Sequence, residues 1–320
     1  MIVRWGLREL PGVLSEVGID RPFLIASERW SRLGLPAASR WSEVPSDRIA
    51  EIVAAAGDAD GLLAVGGGSA IDLAKAVSVT TELPLVSVPT TYSGAEWAPS
   101  FGIRDSGRRM QGGGSGARLA GIVYEPDLTL GLPLEESVGT AMNALAHCAE
   151  ALYVKGRTPE ADVLALEGAR AINETLPRVA AFGEDRHART KLLAGADLAG
   201  HALGLAGLGL GHAMAQAIGG RYGLPHGALN AICLPAALRF NQAVAGEEIA
   251  RFAEALQTDD PAGRVRELAQ LGGFRRLQDL GVPVEDLPEL AEAAAGRGGA
   301  KANPRPASPT EIEELLRSIY

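Results

Sequence analysis

Asn143 and His147 stand four residues apart in AMNALAHCAEALY, residues 141–153, a run apolar enough to form a buried helix. On a helix that spacing puts both side chains on one face, a turn apart. An imidazole and a carboxamide aimed at one point can bind a metal ion, hold a substrate, or sit as hydrogen-bonded core. His201, His212 and His226 fall in the same apolar half of the chain, whereas His187 lies in the charged run EDRHARTK and is expected in solvent. A single histidine on an apolar face is ordinary core. Several in segments able to converge suit zinc or iron, since neutral imidazole binds both and an i, i+4 pair presents two ligands from one helix. His212 and His226 are bridged by AMAQAIGGRYGLP. There the Gly219-Gly220 pair and Pro225 are expected to end one helix and start another, letting the two rings approach. Glu150, on the same helix as His147, reads as a helix-face residue rather than a general base.

A second candidate is AVGGGSAIDLAKA, residues 64–76. Gly66, Gly67, Gly68 and Ser69 lie between a strand and a helix, where glycine lets the backbone approach a ligand and the helix N-terminus offers N–H groups to an anion. A dinucleotide pyrophosphate suits such a turn. It departs from the common G-x-G-x-x-G fingerprint, with Ile71 in place of the third glycine, and lacks the Lys-Ser/Thr pair of a P-loop. Asp72, one turn into the helix, is assigned to the cofactor cleft and is spaced to pair with Lys75. In SVPTTYSGAEWAPSFGI, residues 87–103, Thr90 and Thr91 follow a strand, where hydroxyls commonly line a ligand crevice.

The elements that must position these residues divide in two. RPFLIAS (21–27), GLLAVGG (61–67), PLVSVP (84–89) and LAGIVY (119–124) read as buried strands. SDRIAEIVAAA (46–56), with Ser46 as N-cap, and SAIDLAKAVSV (69–79) read as helices between them. That alternation implies a parallel sheet covered on both faces. GGGSG (112–116) reads as a loop tip. Beyond Pro133 no strand is expected, and the last helix opens on SPTE, a capping box at Ser308 with Pro309 at the first helical position. The boundary falls near residue 132: residues 1–132 form an α/β nucleotide-binding domain and 133–320 a helical catalytic domain.

Composition excludes several classes. A net charge of −9 without a long basic run argues against nucleic acid and anionic membranes. MIVRWGLREL lacks the apolar core of a signal peptide. LAGHALGLAGLGLGHAMAQAIGG, residues 198–220, is apolar enough for a membrane span, but His201, His212 and Gln216 interrupt it and it is expected to be a helix in a soluble core. Cys148 and Cys233 lie in apolar helical contexts and are expected reduced and buried, which fits the cytoplasm.

VGGGSAIDLAKA, PTTYSGAEWAPSFGI, YEPDLTLGLP, AMNALAHCAEALY, GHAMAQAIGGRYGLPHG and NPRPASPTEIEELL together resemble the iron-containing alcohol dehydrogenase superfamily, most of all its maleylacetate reductase branch. The resemblance implies a Rossmann-like dinucleotide-binding α/β domain, then an all-α domain of the dehydroquinate synthase-like fold, with the active site in the cleft between. It implies NAD or NADP as cofactor, a small carbonyl or alcohol substrate, and a homodimer. Gly66, Gly67, Gly68 and Ser69 match the pyrophosphate-binding residues, Thr90 and Thr91 the nicotinamide-side contacts, and Leu128 the cofactor-flanking turn. The superfamily metal, Fe2+ or Zn2+, is held by three histidines, which fall on His147, His212 and His226, and by a carboxylate, which falls on Asn143. Asparagine keeps an oxygen donor and removes a charge, which weakens the complex. The branch shares that asparagine. Ala213 and Gln216 stand where the branch usually has Lys and His, removing a cation for a dicarboxylate and a proton donor; the basic residues left are Arg221 and Arg109. Hydride transfer is the reaction implied, with Asn143 and the three histidines polarising the carbonyl through a metal or directly. The alternatives are an NAD-retaining lyase or synthase of related fold, and a cofactor-binding paralogue without chemistry.

Overall fold

Neighbouring residues of a strand point to opposite faces, and in this chain both faces are buried. The computed structural model describes residues 1–320. Leu24, Ala26, Leu63, Val65, Val86, Val88 and Val123 pack on one side of a sheet. Phe23, Ile25, Leu62, Ala64 and Leu85 pack on the other. The strands are β1 (Ile2–Trp5), β2 (Pro22–Ala26), β3 (Ser39–Trp41), β4 (Gly61–Gly66), β5 (Leu85–Pro89), β6 (Phe101–Arg104), β7 (Met110–Gly114) and β8 (Leu119–Tyr124). Six form one sheet in the order β1-β8-β5-β4-β2-β3, and each neighbouring pair is parallel. Helix α1 (Leu10–Glu16) covers the first face, and α2 (Ile49–Ala56) and α3 (Gly68–Thr81) the second.

Two local readings in the α/β half change. Helix α2 starts at Ile49 behind Arg48, not at Ser46, whose Oγ accepts only from Arg48 N at 3.4 Å. Residues 112–114 are the end of β7 rather than a loop tip, paired antiparallel with β6 in a two-stranded hairpin. Glycine makes ladder hydrogen bonds as any residue does, so composition alone hid the strand. The short edge strands β1 and β3 also carried no clear apolar run.

The helices that follow are α4 (Leu134–Ala151), α5 (Pro159–Ala181), α6 (Arg186–Ala206), α7 (Leu210–Tyr222), α8 (His226–Asn241), α9 (Gly246–Ala255), α10 (Pro261–Gln270), α11 (Leu287–Ala295), α12 (Gly298–Ala302) and α13 (Pro309–Ser318). Ser308 and Glu311 form the expected capping box on α13. The apolar segment 198–220 is not one helix. Gly207, at φ +87°, ends α6, and α7 leaves at 99° to it. No single helix is long and apolar enough to cross a membrane. Helix α7 runs through Gly219-Gly220 and stops at Gly223, which takes the left-handed conformation. Pro225 then caps α8, so His226 is its first residue. Both cysteines are free and buried, and burial pushes both thiol pKa values far up.

By internal contacts the chain forms two units: residues 1–91 with 95–129, and residues 92–94 with 130–320. The three residues Tyr92–Gly94 thus pack with the helices, although the sequence on both sides belongs to the sheet.

Candidate active site

In the α/β unit, β4 ends at Gly66 and α3 begins behind Gly67, with no side chain capping that helix. A Cβ on Gly66, whose φ is +155°, would lie 2.7 Å from Ala70 Cβ, and one on Gly67 would lie 2.8 Å from Thr91 Cγ2. Only glycine fits this turn. Thr90 N donates to Gly66 O at 3.0 Å, which sets the threonines beside the glycines. Thr91 Oγ1 is buried with no partner. A bare helix N-terminus, a cradle that a methyl would fill and an orphaned hydroxyl suit the pyrophosphate of a dinucleotide. Leu128 sits in the turn Pro126–Thr129 and packs into the sheet core. Asp72 is committed elsewhere: one oxygen takes Lys75 Nζ at 3.1 Å and the other takes Gly102 N at 3.2 Å, tying β6 to α3.

In the helical unit, α4, α7 and α8 bring three imidazoles together. The His147 and His212 rings stack with centroids 4.8 Å apart, and His212 lies 5.6 Å from His226. Asn143 joins them, with its Nδ2 2.8 Å from Ser93 O and 3.4 Å from His147 Nε2. The segment Tyr92–Gly94 walls this cluster. A Cβ on Gly94 would stand 3.3 Å from His147 Nδ1 and 3.2 Å from Gly200 Cα. Arg189, fully buried, anchors the segment by donating to Tyr92 Oη at 3.1 Å. Burial, then the two neighbouring rings, holds the His147 pKa well below the usual histidine range, so this ring is neutral. His201 lies half-buried on α6 and His187 is exposed.

Two residues of the cluster were not assigned to it from sequence. Asn230 Nδ2 donates to Asn143 Oδ1 at 2.6 Å and to His226 Nε2 at 3.0 Å. Its signal was present: HGALN repeats, in reverse, the i, i+4 spacing of NALAH. Glu150, read as a helix-face residue, is wholly buried, and its Oε2 accepts from His212 Nδ1 at 2.6 Å.

A four-ligand zinc or iron centre needs the Asn143 oxygen and one nitrogen of each ring turned on one point. Here the Asn143 oxygen and His226 Nε2 both take the Asn230 amide, and His147 Nε2 faces the Asn143 amide nitrogen. No carboxylate stands among the four. No three His, Cys, Asp or Glu side chains are grouped as a metal centre. Asn143, His147, His212 and His226 are brought together as the resemblance implied, but wired to one another in a way that does not fit the metal. What the cluster leaves unmet is His212 Nε2, His147 Nδ1 and Asn230 Oδ1, all buried. Orphaned polar atoms concentrated in one place suit a polar ligand.

The cations expected near a diacid are elsewhere. Arg221 is paired with Asp286 and Glu289, and Arg109 is exposed in the turn between β6 and β7. Arg297, just before α12, differs from both. It is half-buried, its Nε has no partner, and burial alone lowers its pKa. Two residues on, a Cβ on Gly299 would meet Gly209 O at 2.4 Å and Ala213 Cβ at 3.6 Å. The segment carrying Arg297 therefore abuts the first turn of the His212 helix.

Residues 137–320 match the Fe-containing alcohol dehydrogenase family, C-terminal, and residues 40–120 match iron-containing alcohol dehydrogenase. A maleylacetate reductase of Burkholderia cepacia is 37% identical over 286 residues, covering 89% of this chain and 81% of the relative. The solved maleylacetate reductase of Agrobacterium tumefaciens superposes with a TM-score of 0.88 at 30% identity, covering 100% of this chain and 95% of that one. The iron-containing alcohol dehydrogenase of Corynebacterium glutamicum does so at 0.90 and 32%, covering 100% and 94%. The chain belongs to the iron-containing alcohol dehydrogenase family, in its maleylacetate reductase branch, and is an NAD(P)-dependent oxidoreductase.

Proposed function

We propose that the protein reduces a small unsaturated keto diacid of the maleylacetate kind. The observation carrying this reading is the buried cluster of His147, His212 and His226 around Asn143, with His212 Nε2 left open. Residues 1–132 hold the cofactor through Gly66, Gly67, Gly68, Ser69, Thr90 and Thr91, and residues 133–320 supply the groups that meet the substrate. The bound NAD(P)H supplies the hydride. As hydride arrives at carbon, an electron pair moves to the carbonyl oxygen, directly for a ketone or through the conjugated double bond of an enone. The chain's task in either case is to meet that oxygen. A donor aimed at developing oxyanion charge in a dry site contributes about 3–4 kcal/mol. His212 fills this role when its Nε2 carries a proton, because Glu150 at 2.6 Å from Nδ1 balances the added charge. The proton passes from Nε2 to the oxygen of the alkoxide or enolate. The neutral His147 ring and Asn143 keep the site packed and polar around it.

Arg297 is assigned to a substrate carboxylate, as the half-buried cation with no acidic neighbour to offset its burial. A charge-assisted hydrogen bond contributes about 1.5–3 kcal/mol, or roughly 10- to 150-fold in affinity. The free, buried thiols suit a reducing compartment, so a cytoplasmic location is proposed with a homodimeric assembly. The test is NADH and NADPH oxidation against a panel of keto diacids and neutral ketones, for the wild type, His212→Ala and Arg297→Met. Wild-type turnover on diacids is expected, abolished by the first variant. The second should raise KM for diacids 10- to 150-fold and leave neutral ketones unchanged. Full activity in His212→Ala removes the proposed role of the cluster.

A further inference from the structure

The sequence GLGLGH, residues 207–212, spends three glycines on the turn that enters α7, and Glu150 explains two of them. A Cβ on Gly209 would lie 2.9 Å from Glu150 Cδ, and one on Gly211 would lie 2.9 Å from Glu150 Oε1. The glycines leave room for a carboxylate pressed against backbone. Glu150 Oε2 accepts from Gly209 N at 2.6 Å and from His212 Nδ1 at 2.6 Å, and Oε1 accepts from His212 N at 3.2 Å. One side chain of α4 therefore caps the N-terminus of α7 and grips the ring of His212 in the same contact. Both residues are buried, at 0% and 1% side-chain exposure.

We propose that Glu150 is the positioning residue of this site: it keeps a proton on Nδ1 of His212, holds the ring against rotation, and turns an open Nε2 toward the ligand. A carboxylate can only accept, so Nδ1 must donate. The other nitrogen is then left with its lone pair, and it is the atom found buried without a partner. Glu150 also supplies the negative charge that Asn143, being neutral, does not. The charge stands one helical turn beyond His147, behind the ring of His212 rather than in front of it. That placement steers a ring without occupying the space a substrate needs. The catalytic consequence rests on the oxidoreductase reading above; the tautomer and its cause do not.

Two measurements test it on the full-length protein. In the wild type, 15N spectra of the His212 ring should show Nδ1 protonated and Nε2 bare, with a far-downfield Nδ1 proton for the short bond. A proton on Nε2 in the neutral ring overturns the proposal, and this reading needs no variant and no substrate. Glu150→Gln keeps the shape and removes the charge. It is expected to lower kcat at least tenfold with KM for NAD(P)H within about twofold, as loss of a carboxylate behind a working histidine does. The His212 ring resonances should move with it. If Glu150 merely caps α7, the variant loses thermal stability but keeps kcat per folded enzyme and the same ring signals, and the proposal fails. A wild type showing the expected tautomer but no reductase activity would instead retire the functional reading and leave the positioning intact.

Discussion

Asn143→Asp exchanges one atom and reverses the logic of the cluster. Asn143 Nδ2 now donates to Ser93 O at 2.8 Å, in a site where Asn143 is 5% exposed. Aspartate places an oxygen there, so two acceptors face each other with little water to separate them. Leaving a buried polar group unmet costs about 1–3 kcal/mol. At roughly 2–4 °C per kcal/mol for a unit of this size, the metal-free variant should melt about 2–12 °C below the wild type. The bond from Asn230 Nδ2 to Oδ1, at 2.6 Å, survives the change, so the fold itself has no reason to fail.

The same substitution completes a set of one carboxylate and three imidazoles, which hard and borderline divalent ions prefer to an amide set. A bound ion removes the clash with Ser93 and stabilises the folded state by about 2.7 kcal/mol at a concentration 100-fold above its Kd. Thermal melts of chelator-treated protein, with and without Zn2+, together with metal content after dialysis, make the assay. The variant should lose stability without metal, recover it with metal, and retain close to one ion per chain, while the wild type does none of the three. A wild type that keeps a stoichiometric ion through the same dialysis would refute the reasoning, because it would mean that Asn230 yields its hydrogen bonds to a metal.

Gly67→Ala puts a methyl 2.8 Å from Thr91 Cγ2, well inside contact distance, in front of the bare helix N-terminus. Overpacking of this kind costs about 1–3 kcal/mol; NADH titration should show affinity reduced at least tenfold, with the Arg297 and histidine variants unaffected in that assay. The depressed His147 pKa makes stability fall in acid. The unfolded chain takes up a proton at about pH 6.5 that the buried ring refuses, so stability drops by up to about 1.4 kcal/mol per pH unit below that point, until the folded ring itself protonates. Urea melts from pH 7.5 to 5.5 should show this slope in the wild type and a shallower one in His147→Gln; equal slopes would assign the acid sensitivity to another group.

What the sequence revealed, and what it hid, follows from the range of the interactions. The phosphate turn was legible because its strand, its glycines and its helix are contiguous, and each acts on its neighbours. The buried strands were legible because apolar runs closed by turn residues are a local pattern. Asn143 and His147 were legible as a pair for the same reason, one helical turn being a local distance. The failures are of two kinds. Gly207 broke an apolar run that composition presented as continuous, because a single left-handed residue outweighs the hydropathy of the window around it. Glu150 failed differently. An acid inside AHCAEALY is on its own a solvated face, and only the backbone of Gly209 and His212, about 60 residues later, turns it into a cap and a clamp.

The two misreadings have one physical source. The glycines of GLGLGH passed as part of one apolar helix, and Glu150 as a helix-face charge, because neither shows its partner locally: a bare helix end needs an acceptor, and a buried carboxylate needs donors. Together they satisfy both needs. The same pairing rule accounts for Asn143 and Asn230, whose amides meet across α4 and α8 and leave little for an ion to bind. The fixed negative charge of this site thus stands behind a ring, on Glu150, and not at Asn143. A histidine held from behind at Nδ1 and open in front at Nε2 passes a proton to the substrate oxygen once Nε2 has taken one up.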